Sequence, residues 1–288
     1  MDAMKRLSRV FESAKEIPFS DSSRFILMSD CHRGDGSWAD DFAALTHYYA
    51  NNYTYIEIGD GDELWENNKL FDIIQTHSDV FWLLTRFHEK GRLYLIYGNH
   101  DIEMRDGGFI RKNCCRHHFV QEEPSYLNLY ENIRHREALI LKHTETGGKI
   151  FLVHGHQADF ANSELWRFTK FTARYLWRPL ELFGANDPTS AAKNVRKMKS
   201  TGKKLAEWSK IENQMLVAGH THKPVFPKVR EAPYFNDGSC VHPRCITGIE
   251  IANGSIVLVK WSIKAKKDGG LYVGRDIMEG PRKLADYL

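Results

Sequence analysis

The chain has 288 residues, 42% of them hydrophobic and 27% charged, which suits one large core and excludes a disordered or fibrous protein. Forty Lys and Arg against 37 Asp and Glu leave a formal net charge of +3, too mild to mark a nucleic-acid binder, so no stable nucleic-acid partner is expected. The start has no apolar run of signal-peptide length, no stretch of about 18 uncharged apolar residues could cross a bilayer, and the five cysteines form no C-x-x-C pair; a cytoplasmic protein with reduced thiols is expected.

Five short apolar runs recur along the chain, each ending in a polar turn: RFILMSDCH (24–32), YTYIEIGDGDE (53–63), RLYLIYGNHD (92–101), KIFLVHGH (149–156) and QMLVAGHTH (214–222). Their length, and their β-branched and aromatic content, predict buried strands. Amphipathic stretches at Asp40–Asn51 and Asn67–Lys90 predict the helices of a β-α-β-α-β beginning. In such α/β arrangements ligands gather at the carboxyl ends of strands, which places the five turns along one rim.

From Gln157 to Asn213 no strand pattern occurs. The interval is helical, aromatic and basic, broken at Pro179 and at Asn186-Asp187-Pro188, and predicts a helical cap, 157–213, inserted within a single domain spanning 1–288. Its Trp166, Phe168, Phe171, Tyr175, Leu176 and Trp177 are mixed with Arg167, Lys170, Arg174 and Arg178. One reading is a lid whose aromatics line a channel and whose Arg174 and Arg178 attract a phosphorylated or lipid-like substrate, with peripheral membrane contact through the cap. The other is helices packed on the core with their cations in water. Beyond Gly219 the run from Tyr234 to Lys264 predicts a β-meander turning at Asn253-Gly254 and suggests a second sheet.

The polar turns carry a common chemistry. Asp30 and His32 are two apart at a strand end, where an extended chain sends both side chains the same way, toward one ion. Cys31, between them, points to packing. Asp60, between Gly59 and Gly61, is suited to bridge two cations through its two oxygens. Asn99 offers a neutral amide oxygen; His100 beside it faces elsewhere and is suited to protonate a leaving oxygen, with Glu63 or Asp101 fixing its tautomer. His154, and His220 with His222 in a second i, i+2 pair, complete the donors. Carboxylate, imidazole and amide without thiolate suit two divalent ions, Mn first, with Fe or Zn as alternatives. Such a pair, roughly 3.5–4 Å apart, would turn water into a nucleophile and clamp phosphoryl oxygens. Arg33 is placed either to grip a phosphate or to pair with Asp35 or Asp40. The Cys114-Cys115-Arg116-His117-His118 run is read as packing, because adjacent side chains diverge.

In this order, Asp30-x-His32, Gly59-Asp60-x-x-Glu63, Gly98-Asn99-His100-Asp101, His154 and Gly219-His220-x-His222 resemble the signature of the calcineurin-like metallophosphoesterases, over about 190 residues. The resemblance implies an α/β four-layer β-sandwich flanked by helices, with the centre at one edge. It implies one ion on Asp30, His32, Asp60 and His222, and a second on Asp60, Asn99, His154 and His220. Within the family, GDGDELW, the insertion after HGH and the GHTHKP ending resemble the UDP-2,3-diacylglucosamine pyrophosphohydrolases. Those enzymes carry Arg where this chain has His100 and HGD where it has HGH, so a related hydrolase with a different substrate is expected. The expected reaction is hydrolysis of a phosphodiester, a pyrophosphate of nucleotide-sugar type or a phosphomonoester. The alternatives are a nuclease acting through the basic insertion and a non-catalytic binding scaffold.

Overall fold

Alternation along one strand sets up the layers. In β2 (Arg24–Met28), Phe25 and Leu27 lie on one side, Ile26 and Met28 on the other, and all four are buried, so β2 needs cover on both faces. The computed structural model, which describes residues 2–34, 41–67, 69–114, 133–177, 195–242 and 244–288, supplies that cover.

β2, β3 (Thr54–Ile58) and β4 (Leu93–Ile96) pair in parallel, while β9 (Ile246–Ala252), β10 (Ser255–Ala265) and β11 (Leu271–Lys283) follow as an antiparallel meander joined to β2. A second sheet runs in the order β1 (Lys15–Phe19), β5 (Ala138–His143), β6 (Lys149–Val153), β7 (Met215–Ala218) and β8 (Tyr234–Asn236). The two sheets press Phe25, Leu27, Ile56 and Ile58 against Leu139, Leu141, Ile150, Leu152 and Val217. Helices α2 (Asp41–Ala50), α3 (Leu70–Thr76), α4 (Ser78–Glu89) and α5 (Gly107–Cys114) cover the outer face of the first sheet through Leu45, Ile73, Phe81, Leu84 and Ile110. The outer face of the second is covered by α1 (Ala3–Ser13), through Leu7 and Val10, and by a long helix at Val195–Ile211, through Leu205 and Trp208. Helix, sheet, sheet, helix is the four-layer α/β sandwich expected.

Several local expectations change. The stretch at 67–90 is two helices, broken at His77, whose backbone leaves the helical region at φ −115°, ψ 36°. β1 and β5 are strands that carry no motif. The run from Tyr234 divides: β8 joins the second sheet, while β9 and β10 extend the first and turn at Asn253 and Gly254 with both φ positive, 52° and 65°, as a two-residue hairpin requires. The 157–213 interval is helical in its described parts, α6 (Phe160–Ser163), α7 (Trp166–Thr172) and a π turn at Ala173–Trp177. Its last helix, α8 (Val195–Ile211), packs Leu205 and Trp208 on the outer face of the second sheet. Pro179 and the Asn186-Asp187-Pro188 break lie outside the described residues. Among the described residues no helix is long and apolar enough to cross a membrane.

Trp208 is 1% exposed, its ring centre is 5.7 Å from that of Phe11 and 5.2 Å from that of Phe151, and its Nε1 donates to Ser8 Oγ at 2.9 Å. Trp208→Ala should lower stability by about 3–5 kcal/mol. A urea titration should show this as an earlier midpoint at unchanged slope.

Candidate metal centre

The five motif turns all leave their strands at one rim, and most do so through left-handed backbone. Asp30, His32, Asp60, His220 and His222 have φ of 52°, 43°, 52°, 65° and 53°. Residues other than glycine seldom adopt this region, and each costs on the order of 1–3 kcal/mol, a cost borne mostly at functional sites. The expected extended i, i+2 geometry is therefore incorrect for both pairs. Asp30 and His32 still reach one place because their turn is bonded to the next one, Asp30 N–H to Gly59 O at 3.0 Å and His32 N–H to Asp60 O at 2.9 Å. His220 and His222 diverge into different groups.

Asp30, His32 and His222 form one cluster of donors and Asp60, His154 and His220 another, each with its ligand atoms within 4.8 Å of one another. Asp30 Oδ1 lies 2.9 Å from His222 Nε2, and Asp60 Oδ2 lies 3.0 Å from His154 Nε2 and 3.9 Å from His32 Nε2, so Asp60 faces both clusters. The outward atoms of four of these donors have partners. Asp30 Oδ2 accepts from the His220 amide (2.8 Å), Asp60 Oδ1 from the His100 amide (2.7 Å), and the Nδ1 atoms of His32 and His154 face Glu63 Oε2 (2.7 Å) and Ile58 O (2.8 Å). The inward atoms Asp30 Oδ1, His32 Nε2, Asn99 Oδ1, His154 Nε2 and His220 Nε2 are buried and make no well-aligned hydrogen bond, the close Asp30–His222 and Asp60–His154 approaches included. Inner atoms without such bonds and anchored outer ones fit divalent cations, whose ligands are oriented by just such outer contacts.

Burial opposes charge on these groups, yet the histidines hold Asp30 well below the ordinary carboxylate range, and the Asp60 and Asp30 charges lift His154 to about 9. Close approach is bought with glycine. A Cβ on Gly219 would lie 2.1 Å from Ser29 Oγ and 2.6 Å from Asp30 Oδ2, and one on Gly98 would lie 2.1 Å from Asp60 Oδ1.

His100 lies beside these two clusters, in a third group of possible donors with His32 and Glu63. Its Nδ1 faces Glu63 Oε2 at 2.7 Å and Oε1 at 2.9 Å, and its ring stacks on Trp65 at 4.2 Å. Glu63 therefore orients it, and Asp101 does not: both Asp101 oxygens accept from glycine amides, Gly98 at 2.6 Å and Gly61 at 2.9 Å. Burial, then the charges of Asp60 and Asp62, push the Asp101 carboxyl up to about 8. Its role is to brace two turns.

The cations proposed for substrate stand elsewhere. Arg33 is 2% exposed, forks onto both oxygens of Glu57 at 2.8 Å and donates through Nε to Asp62 at 2.8 Å. A side chain so paired cannot grip a phosphate, and Asp35 and Asp40, its other expected partners, lie outside the described residues. Arg174 gives its Nε and one Nη to main-chain carbonyls of the turn after Glu63. Arg178 and the run from Cys115 to His118 lie outside the described residues, as does the Cys114 side chain. Cys31 and Cys240 are free and buried, as packing thiols should be.

Sequence reading missed a relay behind Asp30. Ser29 Oγ lies 2.5 Å from Asp30 Oδ2 and 2.7 Å from Asp237 Oδ1. One hydroxyl proton is shared between two carboxylates here, a competition that a proton on Asp237 would relieve. Burial and the Asp30 charge raise the Asp237 carboxyl well above its usual range, which agrees. An ordinary Asn-Asp-Gly turn gives no sign of this.

A four-layer sandwich with Asp, Asn and His donors from both sheets on one rim defines a metallophosphoesterase centre. The sequence model of the calcineurin-like phosphoesterases matches residues 23–224, well over half of the chain, and the chain belongs to that family, whose members use divalent metals. No curated protein matches the sequence. Among solved structures it is similar to Vps29 of Chaetomium thermophilum, at 10% identity over 90% of this chain and 97% of that one, with a TM-score of 0.39. It is likewise similar to the same protein complexed with a RaPID-derived cyclic peptide, at 10% identity and the same coverage, with a TM-score of 0.36.

Two measurements check this description. Gly219→Ala must displace Ser29 or Asp30, and titration calorimetry with Mn should show affinity reduced by about 10–100-fold. Beside the Arg33–Glu57 pair, burial first, with Arg33 reinforcing and Glu57 opposing, depresses His135 to about 4. Above pH ~6.5 His135 is neutral folded or unfolded; below it the unfolded chain takes up a proton that the folded one refuses, so stability falls toward pH 4. His135→Gln should reduce the stability lost between pH 7 and pH 5 by about 2 kcal/mol, read from denaturation midpoints.

Proposed function

We propose that this chain is a dinuclear, divalent-metal-dependent hydrolase of phosphoric esters or anhydrides, taking a phosphodiester, a pyrophosphate of nucleotide-sugar type or a phosphomonoester. Two ions, manganese the expected pair, would be held by Asp30, His32, Asp60 and His222 on one side and by Asp60, Asn99, His154 and His220 on the other. When bound they supply an activated water and neutralise phosphoryl oxygens.

The protein's own groups do the rest. Asp60 turns one oxygen to both clusters and keeps the other on the His100 amide, so the bridge and the acid are fixed by one side chain. Burial opposes charge on His100, but Glu63 and Asp60 outweigh it and raise the imidazole, which favours a proton on the ring near neutral pH. With Nδ1 on Glu63, Nε2 is left to donate that proton to the leaving oxygen. The side chain is 22% exposed beside donors that are nearly all buried, which gives a substrate access to it. The observation that carries this reading is the set of buried, inward donor atoms beside an oriented, accessible histidine. A binding scaffold has no use for that histidine.

The GDGDELW turn and the helical insertion keep nucleotide-sugar pyrophosphates in the substrate class, while His100 and His156 depart from the diacylglucosamine branch. Purified protein should therefore contain divalent metal and, with Mn, turn over one of a panel of nucleotide-sugars, cyclic nucleotides, phosphodiesters and phosphomonoesters. Asp60→Asn should cut kcat by at least about 100-fold while the circular dichroism spectrum is unchanged, and His100→Asn by about 10²–10⁴-fold. Turnover by Asp60→Asn equal to that of the parent would sink the proposal.

A further inference from the structure

Three main-chain carbonyls of one short turn converge on a single guanidinium. Arg174 Nε donates to Trp65 O at 2.6 Å, and its Nη2 donates to Leu64 O at 2.8 Å and Asn67 O at 3.3 Å. A planar cation with several fixed donors is suited to hold a loop in this way, and charge-assisted bonds of this kind are stronger than neutral ones.

The amides of the same turn face the other way. Trp65 N–H and Glu66 N–H donate to Glu63 Oε1 at 3.1 and 3.3 Å, the oxygen that also faces His100 Nδ1. The Trp65 indole, 2% exposed, lies flat on the His100 ring with an interplanar angle of 22°. His100 is thus held by a carboxylate on one side and an aromatic face on the other, and both belong to the turn that Arg174 grips.

Arg174 itself comes from the π turn at Ala173–Trp177, a rare conformation that is frequent at functional sites. The preceding helix is tied to the far side of His100. Lys170 pairs with Glu103, which lies in the 3-10 turn Ile102–Arg105 just after the Asn99-His100 turn, and the Arg105 guanidinium sits 5.7 Å above the Trp166 ring.

We infer that Arg174 is a positioning residue for His100, acting through Trp65 and Glu63. The inference rests on the acid role given to His100 above. Losing Arg174 frees the Trp65 end of the turn and lets the imidazole drift from the leaving oxygen, while His32, which shares Glu63, stays anchored by its amide on Asp60 O and Glu63 by its amide on Arg33 O. The defect must then follow the basicity of the leaving group: an alkoxide needs the proton, a nitrophenolate does not.

The test uses the Mn-loaded full chain and two substrates that differ only in carrying a nitrophenyl or an alkyl leaving group. Arg174→Ala should lower kcat on the alkyl substrate by about tenfold or more, with KM and the nitrophenyl rate within about twofold and the Mn content unchanged. Arg174→Lys, whose single ammonium cannot meet three carbonyls, should fall between, and keeps the test open if the alanine variant folds poorly. His100→Asn should show the same selectivity more strongly, and adding Arg174→Ala to it should cost nothing further. Equal losses on both substrates, no loss on either, or a raised KM alone would overturn the positioning role while His100→Asn remained selective. If His100→Asn were itself unselective, the acid role would fall and take this inference with it.

Discussion

Asp30 and Asp60 are carboxylates buried at the rim of two sheets, and a buried anion costs several kcal/mol unless charge and hydrogen bonds meet it. The surroundings of the centre follow from that requirement. Histidines bring compensating charge to within about 3 Å, backbone amides of His100 and His220 take the outer oxygens, and Gly98 and Gly219 vacate the space those oxygens fill. The left-handed backbone at five of the donors belongs to the same arrangement. A strained turn persists only where its surroundings over-determine it, and here cross-turn bonds between Asp30 and Gly59, and between His32 and Asp60, do so.

The donors were legible in the sequence because each breaks an apolar run that has no packing reason to end in Asp, Asn or His. How they are presented was not. Side-chain type says little about a positive φ at Asp30 or His222, so the extended-chain argument reached a sound grouping for Asp30 and His32 by an incorrect geometry and says nothing of the split between His220 and His222. The layered α/β class followed from strand and helix periodicity. The membership of each sheet did not, because β1 and β5 carry no chemistry to mark them and pairing is decided by contacts far apart in the chain. Asp237 was invisible for a similar reason: its importance lies wholly in a neighbour 208 residues away.

Arginine is where local reading served least well. Arg33 follows a metal motif and Arg174 sits among aromatics, both plausible settings for gripping an anion. Yet Arg33 closes an ion pair with Glu57 and Asp62 beneath the floor, and Arg174 spends its donors on carbonyls of the Glu63 turn. In each case the cation fixes a segment that carries site residues. In these two cases positive charge near the centre fixes loops.

The rim draws its donors from both sheets: Asp30, His32, Asp60 and Asn99 from the first, His154, His220 and His222 from the second. Between them runs the apolar interface of Leu27, Ile56, Leu152 and Val217, which sets the distance and angle at which the two halves meet. A cation seated across that seam would act as a rivet. Whatever slides one sheet on the other, even a substitution deep in the interface and far from any ligand, changes how well the rivet fits, so that metal occupancy becomes a gauge of how the two sheets are docked.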